Sequence, residues 1–293
     1  MSINLELKKR MHNDLVEALI DIAISEDLGD GDHTSLACIP ETIEGKARLL
    51  IKDNGILAGI EVALGVFSKI DPRLKLECYL HDGDRISDGD VAFEVAGKIQ
   101  SILKSERLVL NFLQRMSGIA TQTGLYKNKL EGLKTSILDT RKTTPGLRWF
   151  EKQAVKIGGG QNHRSGLFDM ILIKDNHIDY AGGIRNAIRN VSNYLQKTGK
   201  KLRIEIEARS LDDITEIMQA GNIDRILLDN FDMEQTRIAV GMIDGKYETE
   251  SSGGITIDNI REYAECGVDY ISVGALTHQI TSLDMSLKAI ITE

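Results

Sequence analysis

Hydrophobic and polar positions along this chain change rhythm near its middle. Residues 12–25, HNDLVEALIDIAIS, carry apolar residues at helical spacing. Between Lys46 and Gly97 the pattern is β-like: KARLLI and AFEV read as short strands, and DGDRISDGD holds two Asp-Gly turns. This segment predicts a small sheet-rich domain. SILKSERLVLNFLQRMSGIAT then sets Leu103, Leu110, Leu113 and Ile119 on a helix, with the domain change within or just after it. Beyond it, short apolar segments recur: SILDT, MILIK, RIEIE, RILLD, YETES and YISVG. Most are separated by amphipathic stretches such as GIRNAIRNVSNYLQK, SLDDITEIMQAG, DMEQTRIAVGMI and TIDNIREYAECG. Ser210 and Asp232 stand where helix N-caps belong, and Gly221 and Gly267 where helices end. The alternation predicts βαβ units around a parallel sheet. It is a repeat of architecture, without internal sequence duplication.

Composition narrows the class. The chain has 293 residues, enough for two domains or one large α/β domain, and a formal net charge of −8. That acidity argues against a protein that coats nucleic acid by neutralising phosphates, but leaves room for a small anion in a local basic pocket. Cys38, Cys78 and Cys266 show no zinc spacing and fit reduced thiols in a cytoplasmic protein. The first twenty residues are amphipathic without the apolar core of a signal peptide, and no apolar run reaches the roughly 20 residues needed to cross a bilayer. The expectation is a protein with neither nucleic-acid nor membrane partners. The acidic stretch EDLGDGDHTS, Glu26 to Ser35, lacks the register of a calcium loop and reads as a turn-rich connector.

The chemistry gathers at the ends of the apolar segments. The first runs into Asp139, Arg141 and Lys142, the next into Lys174, Asp175, Asn176 and His177. Glu205 and Glu207, Asp229 and Asn230, Glu250 to Gly254, and Gly274 follow. In parallel α/β folds the carboxyl ends of the strands share one face, so these residues are expected in one pocket. From Arg141 to Lys174 there are seven Lys or Arg and only two acids, Glu151 and Asp169. Arg148, Lys152 and Lys156 are expected on a solvated helix face, leaving Arg141, Lys142, Arg164 and Lys174 to face inward. Arginine grips carboxylates bidentately while lysine acts as a movable charge, so the mixture suits a ligand with carboxylate and phosphate groups. The glycine-rich SSGG and VGA segments each precede a helical stretch and offer backbone N–H groups to phosphate. Strand alternation puts Glu205 and Glu207 on the same side. Glu207 and Asp229 read either as strand-end ion pairs with the same cations or as ligands for magnesium and sugar hydroxyls. A lone histidine is by default structural. His163 gains weight from Asn162 and Arg164, and His278 has less support. Cys266 reads as the apolar end of a helix.

DTRKTTPGLR, GGGQNHR, ILIKDNH, LLDN, ESSGGI and VGALTH, in this order, resemble the quinolinate phosphoribosyltransferase family; EDLGDGDHTS and SERLVLNFLQRMSGIAT also match. The resemblance implies an α/β fold in which a small α/β sandwich domain (residues 1–116, completed by 279–293) accompanies an incomplete, six- or seven-stranded α/β barrel (residues 117–278). It implies transfer of phosphoribosyl from phosphoribosyl pyrophosphate to quinolinate with decarboxylation, a step in de novo NAD synthesis, with Mg2+ as cofactor. It also implies a homodimer, or a higher oligomer built on it, in which Arg107 reaches the partner's site. By the same resemblance Arg107, Arg141, His163, Arg164 and Lys174 line the quinolinate site. Lys142, Glu207, Asp229, Ser252, Gly253, Gly254, Gly274 and His278 receive the donor, with Lys142, Lys174, Glu207 and Asp229 catalytic and Glu207 and Asp229 near the metal. Trp149, Phe150 and Ser165 depart from the family pattern beside these residues without removing a charge. Three other readings stay open on the residues alone: a related transferase acting on another ring acid, a Schiff-base lyase using Lys174, and a non-catalytic anion-binding module.

Overall fold

The structure, a computed structural model, describes the backbone of residues 3–291 and the side chains of residues 14–291. The amphipathic reading of the first residues therefore lies largely outside the described side chains. In chain order the first elements are α1 (Ile3–Leu28), α2 (His33–Cys38), β1 (Glu44–Ile51), β2 (Gly55–Ile56), α3 (Ile60–Ile70), β3 (Lys75–Cys78), β4 (Arg85–Ile86), β5 (Val91–Lys98) and α4 (Ile99–Lys129). Then come β6 (Ser136–Leu138), α5 (Arg148–Ile157), β7 (Ile171–Ile173), α6 (Asp175–Ala181), α7 (Ile184–Thr198), β8 (Ile204–Ala208), α8 (Leu211–Ala220) and β9 (Arg225–Asp229). The chain closes with α9 (Met233–Ile243), β10 (Glu248–Ser252), α10 (Ile260–Glu265), β11 (Tyr270–Ser272), α11 (Ala275–His278) and β12 (Met285–Ile290).

Two compact units emerge. The first comprises residues 1–122, 144–158 and 280–293; the second comprises 123–143 and 159–279. In the first unit an antiparallel sheet runs in the order β12-β1-β5-β3, so the C-terminal strand pairs with the first one. Leu49, Ile51, Phe93 and Val95 of this sheet are buried, as are Val62, Ala63, Val66 and Phe67 of α3, and Phe67 meets Phe93 edge to face at 5.9 Å. The β-like reading of residues 46–97 overlooked α3, whose short apolar run fits either period. Its start depends on Gly59 at φ +107 and on Asp82 Oδ1, which accepts from the backbone of Gly59 and Ile60 at 2.8 and 2.9 Å. The expected connector at Glu26–Ser35 is shorter than the sequence suggested. Only residues 29–32 lie between helices, and Asp32 caps α2 through Ser35 N at 3.0 Å.

The solvated face expected for Arg148, Lys152 and Lys156 is corrected. Lys156 is exposed and Arg148 half-buried, but Lys152 is buried along with Phe150, Glu151, Ala154 and Val155 of α5. The helix is sunk into the first unit around most of its circumference. Phe150 packs on Phe112 at 4.8 Å and Glu151 pairs with Arg115 at 2.6 Å.

The second unit is built on six strands in the order β6-β11-β10-β9-β8-β7, every neighbouring pair parallel. All six anticipated segments became strands. β6 and β7 end the sheet without pairing, which leaves the barrel incomplete; the segment around Gln161 lies along the free edge of β6, with Gln161 N donating to Ile137 O at 2.8 Å. Ser210 and Asp232 cap α8 and α9 as their positions required, accepting from Asp213 N and Gln235 N. With every strand parallel, all six carboxyl ends point the same way.

Candidate active site

Each carboxyl end delivers one piece of the site. After β7, Lys174 turns the chain into α6, and His177 Nδ1 accepts its backbone N–H at 2.9 Å. Its ammonium lies 2.5 Å from Glu207 Oε1, and Asp175 N donates to Glu207 Oε2 at 3.1 Å. Glu207 is buried within β8, so both of its oxygens are spent on the adjoining strand end. After β9, Asp229 is half-buried. Burial, and then the charge of Glu207, push its carboxyl above the ordinary value, a state that a bound cation would relieve. Asp229 sits opposite Ser252 in the β9–β10 ladder, and Gly253 and Gly254 follow Ser252 with φ +94 and +61. After β11, a Cβ on Gly274 would come within 2.8 Å of His278 Nε2 and 3.1 Å of Lys142 Cδ. Gly274 thus lets Lys142 and His278 approach one another. Thr277 Oγ1 donates to Lys142 O at 2.8 Å and ties the β6 and β11 loops together.

A second layer lies deeper in the barrel. His163 N donates to Asp139 Oδ1 at 2.8 Å, and Arg164 N donates to His163 Nδ1 at 2.7 Å. With Nδ1 accepting, the imidazole proton belongs on Nε2, which lies 2.9 Å from Glu205 Oε2 and 3.5 Å from Glu250 Oε2. Arg225 NH1 donates to Glu250 Oε2 at 2.7 Å, and the Arg225 guanidinium lies 4.0 Å from the centre of the Tyr270 ring. Burial raises Glu205, and burial together with Glu205 pushes Glu250 up to about 7. Arg164 is held below its ordinary range by burial first and by the nearby Arg141 second. The carboxylates of Glu205, Asp169 and Glu207 act in the opposite direction and offset part of this shift.

Family models for the N- and C-terminal domains of quinolinate phosphoribosyl transferase match residues 32–117 and 119–288. The chain belongs to the quinolinate phosphoribosyltransferase family. A quinolinate phosphoribosyltransferase [decarboxylating] of Nicotiana tabacum is 44% identical over 288 residues, covering 93% of this chain and 82% of the relative. A probable nicotinate-nucleotide pyrophosphorylase [carboxylating] of Bacillus subtilis is 39% identical and covers 93% and 92%. The crystal structure of NadC from Streptococcus pyogenes superposes with a TM-score of 0.89 at 38% identity, covering 94% and 97%. The chain is accordingly a pentosyltransferase of NAD biosynthesis that transfers phosphoribosyl to quinolinate with decarboxylation.

Within this quinolinate phosphoribosyltransferase fold, Lys174, Glu207, Asp229, Ser252, Gly253, Gly254, Lys142, Gly274 and His278 share the carboxyl-end face, with Arg141 on the exposed loop after β6. His163 and Arg164 approach along the free edge of β6, the His163 side chain buried and Arg164 half-buried. Arg107 is exposed on the part of α4 that belongs to the first unit. Of the two sequence readings, the strand-end ion pair holds for Glu207, which pairs with Lys174, whereas the Asp229 carboxylate takes its only side-chain hydrogen bond among the described residues from Asn230. Sequence reasoning also missed Arg225 and the role of Glu250. A charged residue in an apolar strand was the available signal, as in RILLD, but its partners lie 20 to 25 residues away.

Proposed function

We propose that the carboxyl-end face holds both substrates, with the roles of its residues divided by charge. Arg141, Arg164 and Lys174 hold the two quinolinate carboxylates, and His163 anchors Arg164 from behind. Lys142, His278 and the glycine-rich turns at Ser252–Gly254 and Gly274 receive the donor phosphates, and Asp229 faces the ribose. The observation that carries this division is the crowding of Lys142 and His278 against the Gly274 turn after β6 and β11, while Lys174 is held by Glu207 at the ends of β7 and β8. Three cations suit a diacid better than a monoacid. Holding Lys174 against Glu207 also competes with its use as a nucleophile, which disfavours the Schiff-base reading.

The residues suit magnesium. Asp229 has a raised carboxyl, one oxygen of which takes no hydrogen bond from the described residues, and hard cations prefer such oxygens. Glu207 already spends both oxygens on Lys174 and Asp175, so it would reach a metal only through water. When bound, magnesium neutralises charge on the departing pyrophosphate. Lys142 and the backbone N–H groups add to that stabilisation, while Asp229 faces the positive charge that develops on the ribose. Once the ring nitrogen is alkylated, its charge stabilises the carbanion left by carbon dioxide, so no covalent nucleophile is needed. The protein's work is chiefly to hold two anions together.

We also propose a homodimer in which Arg107 of one subunit completes the partner's site; its exposure on α4 supports this. A cytoplasmic setting is supported by the acidic composition and unpaired cysteines, and no described helix is long and apolar enough to cross a membrane. The test is product analysis: protein, quinolinate, phosphoribosyl pyrophosphate and magnesium should release carbon dioxide and nicotinate mononucleotide in equal amounts. Pyrophosphate release with nicotinate but not with quinolinate would reassign the ring acid.

A further inference from the structure

We propose that Asn230 is a positioning residue for the donor half of the site, fixing the Asp229 carboxylate and the Gly253 turn against each other. The inference rests on the reading of Asp229 and the Ser252–Gly254 turn as the donor site. Four features converge on this residue, two of its backbone and two of its side chain. Asn230 Nδ2 donates to Asp229 Oδ2 at 2.9 Å, which engages one carboxylate oxygen and leaves the other without a hydrogen bond among the described residues. Its backbone N donates to Ser252 O at 2.8 Å, tying the end of β9 to the end of β10. Its φ of +58 is in the left-handed region, which Asn tolerates and most residues do not. Finally, a Cβ on Gly253 would strike Asn230 Oδ1 and come within 2.7 Å of Cγ and 3.1 Å of Cα. Asn230 thus fills the space that makes Gly253 obligatory, and Gly253 is itself left-handed at φ +94.

One side chain therefore touches both the carboxylate assigned to the ribose and metal and the turn assigned to phosphate. A left-handed residue that served only to end a strand would be as well filled by glycine. Here the amide does two further things that glycine cannot. It holds a charged oxygen in place, and it supports the turn from beneath. Preorganisation of this kind lowers the cost of binding the donor without a contact to quinolinate.

Asn230→Gly keeps the backbone geometry without strain and removes both contacts. Asn230→Asp keeps the size and the tolerance of positive φ, and replaces the donor by a second carboxylate. Both variants are expected to raise the KM for phosphoribosyl pyrophosphate at least tenfold. The dissociation constant for quinolinate, measured by equilibrium binding without donor, should stay within twofold, and Tm should change little. A donor KM within twofold of the parent in Asn230→Gly would overturn the inference. So would a parallel loss of quinolinate affinity in both variants, since that marks a general structural role. Asp229→Asn separates the inference from the reading beneath it. If that change impairs donor KM and Asn230→Gly does not, only the positioning role falls; if Asp229→Asn leaves donor KM unchanged, the reading of Asp229 falls and takes the inference with it.

Discussion

At the residue scale, the protein spends charge where apolar side chains would be easier to bury. Glu205, Glu250 and Arg225 lie almost wholly out of solvent, with His163 between them. Removing one partner from such a cluster leaves the rest uncompensated, so it acts as a rigid base for the residues above it. Arg164 is the residue most directly served, since His163 Nδ1 holds its backbone. Arg164→Ala should weaken quinolinate binding by about 2–5 kcal/mol while donor binding is retained, as judged by calorimetry with each ligand alone. Equal affinity for quinolinate in parent and variant would remove Arg164 from the site. Glu250 gives a pH signature. Its carboxyl lies at about 7 against an ordinary 4.5, chiefly through burial and Glu205, with Arg225, His163 and Ser272 opposing the shift. A raised acid binds its proton more tightly when folded, so its contribution to stability is full below pH about 4.5 and is lost as pH rises to about 7. Glu250→Gln should flatten that part of the decline, measured by urea unfolding at pH 5 and pH 8. An unchanged difference between the two pH values would mean that Glu250 does not titrate there.

At the element scale, the helices and strands were set by local pattern, and their contacts by a few small residues. The caps at Ser210 and Asp232 and the stops at Gly221 and Gly267 could be read directly, because a cap depends on residues three or four positions away. Gly118 could not. It lies within α4, where its sequence neighbours give no reason for glycine. In the fold, a Cβ there would strike Thr281 O and come within 3.2 Å of Ser282 Cα, backbone that cannot swing aside. Gly118→Ala should cost about 1–3 kcal/mol and lower Tm by several degrees, although alanine is the better helix former. A Tm at or above that of the parent would show that the C-terminal segment yields. The misread face of α5 has the same origin: three cations at helical spacing look solvated until the surrounding first unit is known.

At the scale of the whole molecule, function depends on segments far apart in sequence. Lys142 and Gly274 are separated by more than a hundred residues and meet only because β6 and β11 are adjacent in the sheet. The proposed homodimer, with Arg107 completing the partner's site, would extend this reasoning to a second chain. Arg107→Ala and Lys174→Ala should each be inactive, yet mixed subunits should recover part of the parental activity, because one of the two sites in a heterodimer carries neither change. Verified heterodimers without activity would place Arg107 outside the shared site.

The sequence by itself determined the six parallel strands, their intervening helices and most of the charged residues of the site. Periodicity, caps and strand-end chemistry are written into residues within a few positions of one another, and so is the order of family segments from Asp139 to His278. Only the tertiary structure decided which charges are spent on one another: that Glu207 answers Lys174, that His163 faces Glu205 and Glu250, and that Asn230 joins Asp229 to Gly253. The reason is physical. A side chain's partner is fixed by which strands become neighbours and in what register, and that pairing is settled by burial of the whole sheet.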